Sequence, residues 1–204
     1  ARSAYVRLRT GSRAQSSGHD IRVIARDVNR GSYACRNAGL QVATGAFVTT
    51  HDADDWSHPQ KIETQARALQ ADPSCPGNVT HWIRSWPQIF FRGTSRPSAQ
   101  MVQWNHSSFM VRRDLLLELG GWDEVRITAD TELIWRIERY TGRAPDRLHR
   151  NVPLSLALED PGSLTRQGVT HVRTIWHGFR REYQESVRHW HESVERGELR
   201  LPLP

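Results

Sequence analysis

Residues 46–56 read AFVTTHDADDW, and their order restricts the fold more than any other stretch of the chain. Residues 46–50 are apolar and β-branched over the length of a strand. After the acids, Ser57 and Gln60 have the spacing of a capping box, and Pro59 suits the first turn of a helix. Ile62, Ala66 and Leu69 then fall on one helical face. Asp52, Asp54 and Asp55 are thereby predicted at the C-terminal end of a strand, in the loop that turns into a helix. That edge is where open α/β sheets bind ligands. Three carboxylates this close repel one another unless a cation or a bound hydroxyl holds them. Mg²⁺ and Mn²⁺ take oxygen ligands and are commonly held by one or two carboxylates together with substrate phosphates. A solvated acidic turn is the plainer alternative, since Asp is turn-prone. The strand before and the capped helix after argue against it.

Upstream, residues 21–25 (IRVIA) are predicted as a strand, 29–31 as a turn, and 33–42 as a helix with Ala34, Ala38 and Val42 along one side. Strand–helix–strand thus leads into the acids, as a parallel sheet requires. Downstream, 78–91 is strand material that Pro87 demotes in its second half. Residues 93–100 are a loop, and 102–111 become strand-like near their end. A short helix is predicted over 114–119, closed by Gly120-Gly121. A longer one over 131–140 carries Leu133, Ile134, Ile137 and Tyr140 on one face, with Asp130 as its N-cap. Val169, Val172, Trp176, Phe179, Tyr183, Val187, Trp190 and Val194 step by three or four, which predicts one amphipathic helix roughly 40 Å long. Its other face carries Arg173, Arg180, Arg181 and Arg188. That stripe reads first as packing across the domain and second as a contact with an anionic membrane surface or a partner helix. His171, His177, His189 and His191 do not share one face and are expected in solvent.

A chain of 204 residues with 37% hydrophobic content can bury one core. One domain is expected over 20–168, between a polar, Ser- and Arg-rich arm at 1–19 and the helix and tail at 169–204. The formal charge is +6, and every basic residue except Lys61 is arginine. Guanidinium groups suit phosphate. No nucleic-acid motif accompanies them, however, and the aromatics fall on core-like positions, so a nucleic-acid partner is not expected. Cys35 and Cys75 have neither metal-ligand nor redox spacing, and no disulfide is expected. No signal peptide and no apolar run of membrane-spanning length is read. The expected location is the cytoplasm, with peripheral contact to the inner membrane face through the C-terminal helix.

Residues 29–65 (NRGSYACRNAGLQVATGAFVTTHDADDWSHPQKIETQ) resemble the nucleotide-sugar half of the family-two, inverting glycosyltransferases. Residues 107–137 (SSFMVRRDLLLELGGWDEVRITADTELIWRI) resemble their acceptor half, in which a strand, a short helix, Gly-Gly-aromatic-Asp and a later acid before a helix recur. The likeness covers about 20–165. It implies the A-type glycosyltransferase fold: a Rossmann-like α/β domain with a mostly parallel sheet. It implies that Asp52 and Asp54 are the acids of the D-x-D motif, holding the donor ribose and a divalent Mn²⁺ or Mg²⁺, with Asp55 beside Asp54 at the metal. Asp130 matches the catalytic base, and Arg36 lies in the segment lining the nucleotide. Ser163-Leu164-Thr165 resembles the region where a basic group often faces the diphosphate, and Arg166 is the nearest candidate. The donor implied is a nucleotide-sugar, with a UDP-sugar expected, and the acceptor is a saccharide or other hydroxyl compound.

The sequence departs from the family at its start. The first strand with its Pro-x-Tyr-Asn type stretch, and the second ending in an acidic pair, are not visible, and IRVIA would correspond to the third. The N-terminal βα units are therefore expected to be missing, and the bared sheet edge is expected to favour a homo-oligomer. The alternative function is that of a catalytically inactive segment serving as a binding or assembly domain.

Overall fold

Two mixed sheets carry the fold, and the chain passes from one to the other several times. The computed structural model describes residues 14–16, 19–86, 88, 90–92, 100–159, 166 and 168–202. Most of the expected arm, Pro87, nearly all of the 93–100 loop and Ser163-Leu164-Thr165 lie outside the described residues. At the end of the arm, strands β1 (Ala14–Ser16) and β2 (His19–Ile21) pair antiparallel. Helix α1 (Ser32–Val42) leads to β3 (Phe47–Thr49), the acid loop, β4 (Trp56–Ser57) and α2 (Lys61–Ala71). There follow β5 (Gly77–Val79), β6 (His81–Ser85), β7 (Phe91–Arg92), β8 (Gln103–Trp104) and β9 (Met110–Arg112). The chain continues through α3 (Arg113–Glu118), α4 (Ala129–Thr141), β10 (Asp146–Arg147), β11 (Pro153–Leu158) and α5 (Phe179–Ser193).

One sheet has the order β10-β5-β9-β3; in the other, β4-β11-β6 is extended by β7 and β8, which both pair with β6. The α/β class is the one expected, but the pairing is mixed. Only β5–β10 and β6–β11 are parallel among the described pairs. Parallel neighbours need a long helical crossover, and α3 with α4 supplies it between those strands alone. Strand β9 instead reverses to pair antiparallel with β3 and β5. Among the described residues β3 is an edge strand. Residues 22–25 of the expected IRVIA strand lie outside any strand, and Val23 and Ile24 remain exposed.

The core joins Leu40 of α1, Val79 and Val111 of the sheet, Leu116 of α3, and Leu133 and Ile137 of α4. Each such side chain contributes roughly 2 kcal/mol by leaving water. On α1 the inward face is Tyr33, Ala34, Asn37 and Leu40, and Val42 is exposed. A buried Asn is tolerated there because its amide is satisfied. It donates to the Trp122 carbonyl at 2.8 Å and accepts from the Trp122 N–H at 2.9 Å. Gly120 and Gly121, expected to end α3, have φ of +83° and +73°. A Cβ on Gly120 would lie 1.9 Å from the Leu201 carbonyl oxygen.

Three local expectations fail for physical reasons. Ser57 does not cap α2, which starts at Lys61 after Gln60, because Ser57 is in β4 and pairs with Ser155. The buried face of α2 is Lys61, Gln65 and Leu69, not Ile62, which is 51% exposed. Gln65 turns inward to donate to the Ser108 carbonyl at 2.7 Å and to Asn78 Oδ1 at 3.0 Å. The long helix over 169–194 is broken. Residues Gly168–Thr170 and Val172–Ile175 form 3₁₀ turns, and α5 starts only after Gly178, at φ +114°. Its 15 residues span roughly 22 Å, and Val169, Trp176 and Phe179 of the expected stripe are exposed. No helix among the described residues is long and apolar enough to cross a membrane.

Candidate active site

The acids lie where the chain leaves one sheet for the other. Beyond β3, the Thr49 and Thr50 hydroxyls donate to the carbonyls of Ser108 and Ser107, at 3.3 and 2.8 Å, and fix the entry to the loop. The Asp55 N–H donates to the Asp52 carbonyl at 3.1 Å, closing a turn with Ala53 and Asp54 at its tip. Asp54 is exposed, whereas Asp52 and Asp55 are partly buried. Arg36, reaching over from α1, pairs with Asp52 at 2.9 Å. Its guanidinium also stands 5.0 Å from the centre of the Tyr33 ring. Two residues selected from sequence, Arg36 and Asp52, are therefore in direct contact.

Tyr33 extends this group to Asp130. Its buried hydroxyl is held well above the usual tyrosine range, first by burial and then by the Asp130 carboxylate; Arg36 opposes the shift. Asp130 was expected to cap α4, but the helix already begins at Ala129 and Thr128 is the N-cap residue. Asp130 stands in the first turn, where its carboxylate accepts from the Thr131 N–H at 2.8 Å. Thr128 has φ +58°, in the left-handed region that a β-branched residue rarely occupies. Such strain persists only where the surroundings enforce it, and it clusters at functional sites.

A buried lysine backs the acids. Lys61 is 1% exposed and donates to the Ser57 hydroxyl at 3.2 Å. Burial pulls its pKa down, while Asp55 and Asp52 push it up. Asp55 is raised from 3.8 to about 7, by burial first and then by Asp52 and Asp54, against the Leu158 N–H and Arg84. An ammonium placed against this repulsion is the kind of counter-ion that three crowded carboxylates need. Sequence reasoning passed over Lys61, Tyr33 and Arg84. The first had a signal, as the only lysine of the chain, six residues after Asp55.

Arg166 has an acidic partner of its own. It pairs with Glu159 at 2.7 Å and lies over the Trp86 ring at 5.3 Å. Behind Asp130, α4 is anchored by a buried ionic cluster. Arg136, fully buried, pairs with Glu132 at 2.8 Å and donates to the carbonyls of Leu119 and Gly121. His191 of α5, expected in solvent, is 4% exposed and meets Glu132 at 3.0 Å. Tyr183 donates to Asp123 at 2.9 Å. These bonds clamp α5 onto α4 and the Gly120-Gly121-Trp122-Asp123 turn.

Among the described residues no group of three or more His, Cys, Asp or Glu forms a metal cage. The donor set does fit a cation shared with a substrate. Asp52 opens the turn and Asp54 stands at its exposed tip; burial first, and then Asp52 and Asp54, raise Asp55, and a cation there would offset the acids' mutual repulsion. Mg²⁺ and Mn²⁺ use such sets, one or two carboxylates completed by phosphate oxygens.

Residues 10–119, more than half of the chain, match the family model described as Glycosyl transferase family 2. The match contains α1, the acid loop, α2 with Lys61, and α3, and it ends before Asp130. No curated protein matches the chain.

Proposed function

The chain belongs to glycosyl transferase family 2, and from that premise we propose that it moves a sugar from a nucleotide-diphosphate donor, a UDP-sugar, to an acceptor hydroxyl with inversion. The observation that carries this reading is the convergence of the Arg36–Asp52 pair, Tyr33 and Asp130 from three separate segments. Asp52, oriented by Arg36, accepts from the donor ribose. Arg36 is assigned to the nucleotide in this reading, with its contact to Asp52 in support. Asp54, with Asp55 beside it, would hold Mn²⁺ or Mg²⁺, whose chemistry when bound is to neutralise charge on the leaving diphosphate. Lys61 keeps the turn from springing apart before substrate arrives. Arg166, tethered by Glu159, is the candidate to meet the diphosphate.

In the reaction the acceptor oxygen bonds to the anomeric carbon as the bond to the diphosphate oxygen breaks on the opposite face. The acceptor proton passes to the Asp130 carboxylate. Tyr33 and the Thr131 N–H hold that carboxylate in place. The reaction is read as cytoplasmic, at the inner membrane face, where exposed Phe179 beside the arginines of α5 suits an anionic surface.

Nucleoside diphosphate release from UDP-sugars, measured with Mn²⁺ and a mixture of saccharide acceptors, tests the reading. Asp130→Asn keeps shape and hydrogen-bonding capacity but removes the base. Turnover should fall about 10²-fold or more with folding unchanged. An active Asn variant would end the assignment. Nucleotide binding without turnover in the unaltered chain would favour a binding or assembly domain instead.

A further inference from the structure

A cavity of about 280 Å³ is walled by three tryptophans: Trp104 of β8, Trp135 of α4 and Trp176 from the turn ahead of α5. Two further lining residues tie it to the chemistry. Thr131 follows Asp130 and donates its N–H to that carboxylate, and His106 precedes Ser107, whose carbonyl holds Thr50 at the entry to the acid loop. Arg173 and Gln184 add polar groups from the C-terminal segment. Thr131 and every later lining residue fall outside the residues matched to the family, so the match assigns this cavity no role.

The aromatic walls are held in fixed planes. His106 stacks on Trp104 with centroids 4.5 Å apart and planes at 19°, and Arg147 stands 4.0 Å from the same ring. Arg188 stands 4.3 Å from the Trp135 ring. Trp176 differs, since 54% of it is exposed. Rigid aromatic groups set beside a few polar ones form a preorganised site for a flat, amphiphilic ligand. Drug-sized ligands need pockets of roughly 300–1,000 Å³. This one suits a single ring and is too small for a nucleotide.

We propose that the cavity binds one pyranose ring of a saccharide acceptor, with Trp176 as its platform; the word acceptor rests on the transferase reading above. A pyranose offers a face of C–H groups that packs on an indole and a rim of hydroxyls. His106, Arg173, Gln184 and Thr131 are the polar residues that line the cavity around that rim. Thr131, on the cavity wall, adjoins Asp130 in α4 and donates its N–H to that carboxylate, which sets the ring beside the segment that carries the proposed base.

Tryptophan fluorescence and saturation-transfer NMR test this with methyl glycosides of glucose, galactose, mannose, rhamnose and N-acetylglucosamine and their disaccharides. UDP with Mn²⁺ is titrated in parallel. At least one glycoside should quench saturably, and Trp176→Ala should weaken that binding roughly tenfold while leaving UDP binding unchanged. If thermal melts show that Trp176→Ala is misfolded, Gln184→Ala serves, with weaker glycoside binding again expected. Absence of binding by the whole panel, or equal binding by a folded variant, would overturn the proposal. So would quenching by uridine alone that depends on Trp176, because the cavity would then hold the donor base. Glycoside binding without any UDP binding would uphold the saccharide site and sink the transferase reading, so the two fail separately.

Discussion

Asp55→Asn should stabilise the metal-free chain at alkaline pH. The Asp55 carboxyl is raised from 3.8 to about 7 by burial, then by Asp52 and Asp54. The unfolded chain therefore releases this proton near pH 4, while the folded chain keeps it until about pH 7. The associated stability is fully present below about pH 4 and is lost as pH rises to 7. A shift of about three units at 1.36 kcal/mol each sets a ceiling of about 4 kcal/mol. Asp55 is only partly buried, and screening by water reduces the expected effect to roughly 1–2 kcal/mol. The Asn variant has the same shape without the charge, and Lys61 keeps Ser57 and Asp52 as neighbours. Urea unfolding in a chelator at pH 4 and pH 8 reads the difference. The parent should lose about 1–2 kcal/mol more than Asp55→Asn over that range. An equal loss in both, or a variant less stable at pH 8, would refute the view that burial and the neighbouring acids hold the Asp55 carboxyl up.

Two further predictions concern the frame behind the site. Arg136→Met leaves Glu132 buried with His191 alone and should cost about 3–5 kcal/mol in denaturant unfolding; a loss below about 1 kcal/mol would contradict the clamp. Gly120→Ala places a methyl group against Leu201 at a positive φ, which should cost roughly 1–3 kcal/mol. It should also speed hydrogen exchange of the Leu201 amide, which bonds to the Leu119 carbonyl; unchanged protection would count against that packing.

Local signals in the sequence were read well. The AFVTT strand, the acid turn, the Gly120-Gly121 stop and the apolar face of α4 each depend on neighbours within a few residues. What escaped depends on partners far along the chain. Gln65 faces inward because Ser108 and Asn78 accept its amide, and His191 is buried because Glu132 waits for it. Neither polar residue looks internal by pattern. Gly178 breaks the aromatic stripe into turns and a helix, although the spacing of three and four continues across it. Strand direction was likewise invisible, because β9 turns back between β3 and β5 through contacts that no local motif announces. For the candidate site, the position of the acid turn after a strand was legible, whereas the burial of Lys61 and Tyr33 beside it depends on the whole fold.

The central claim is that the acid turn binds a nucleoside diphosphate through a divalent cation, with Asp54 as a ligand. Calorimetric titration of UDP, with Mn²⁺ or with chelator, into the parent chain and Asp54→Asn tests it most directly. Binding should require Mn²⁺ and should weaken at least roughly tenfold in the variant, which keeps its circular dichroism and melting profile. UDP binding of equal strength in chelator, or in folded Asp54→Asn, would contradict the account.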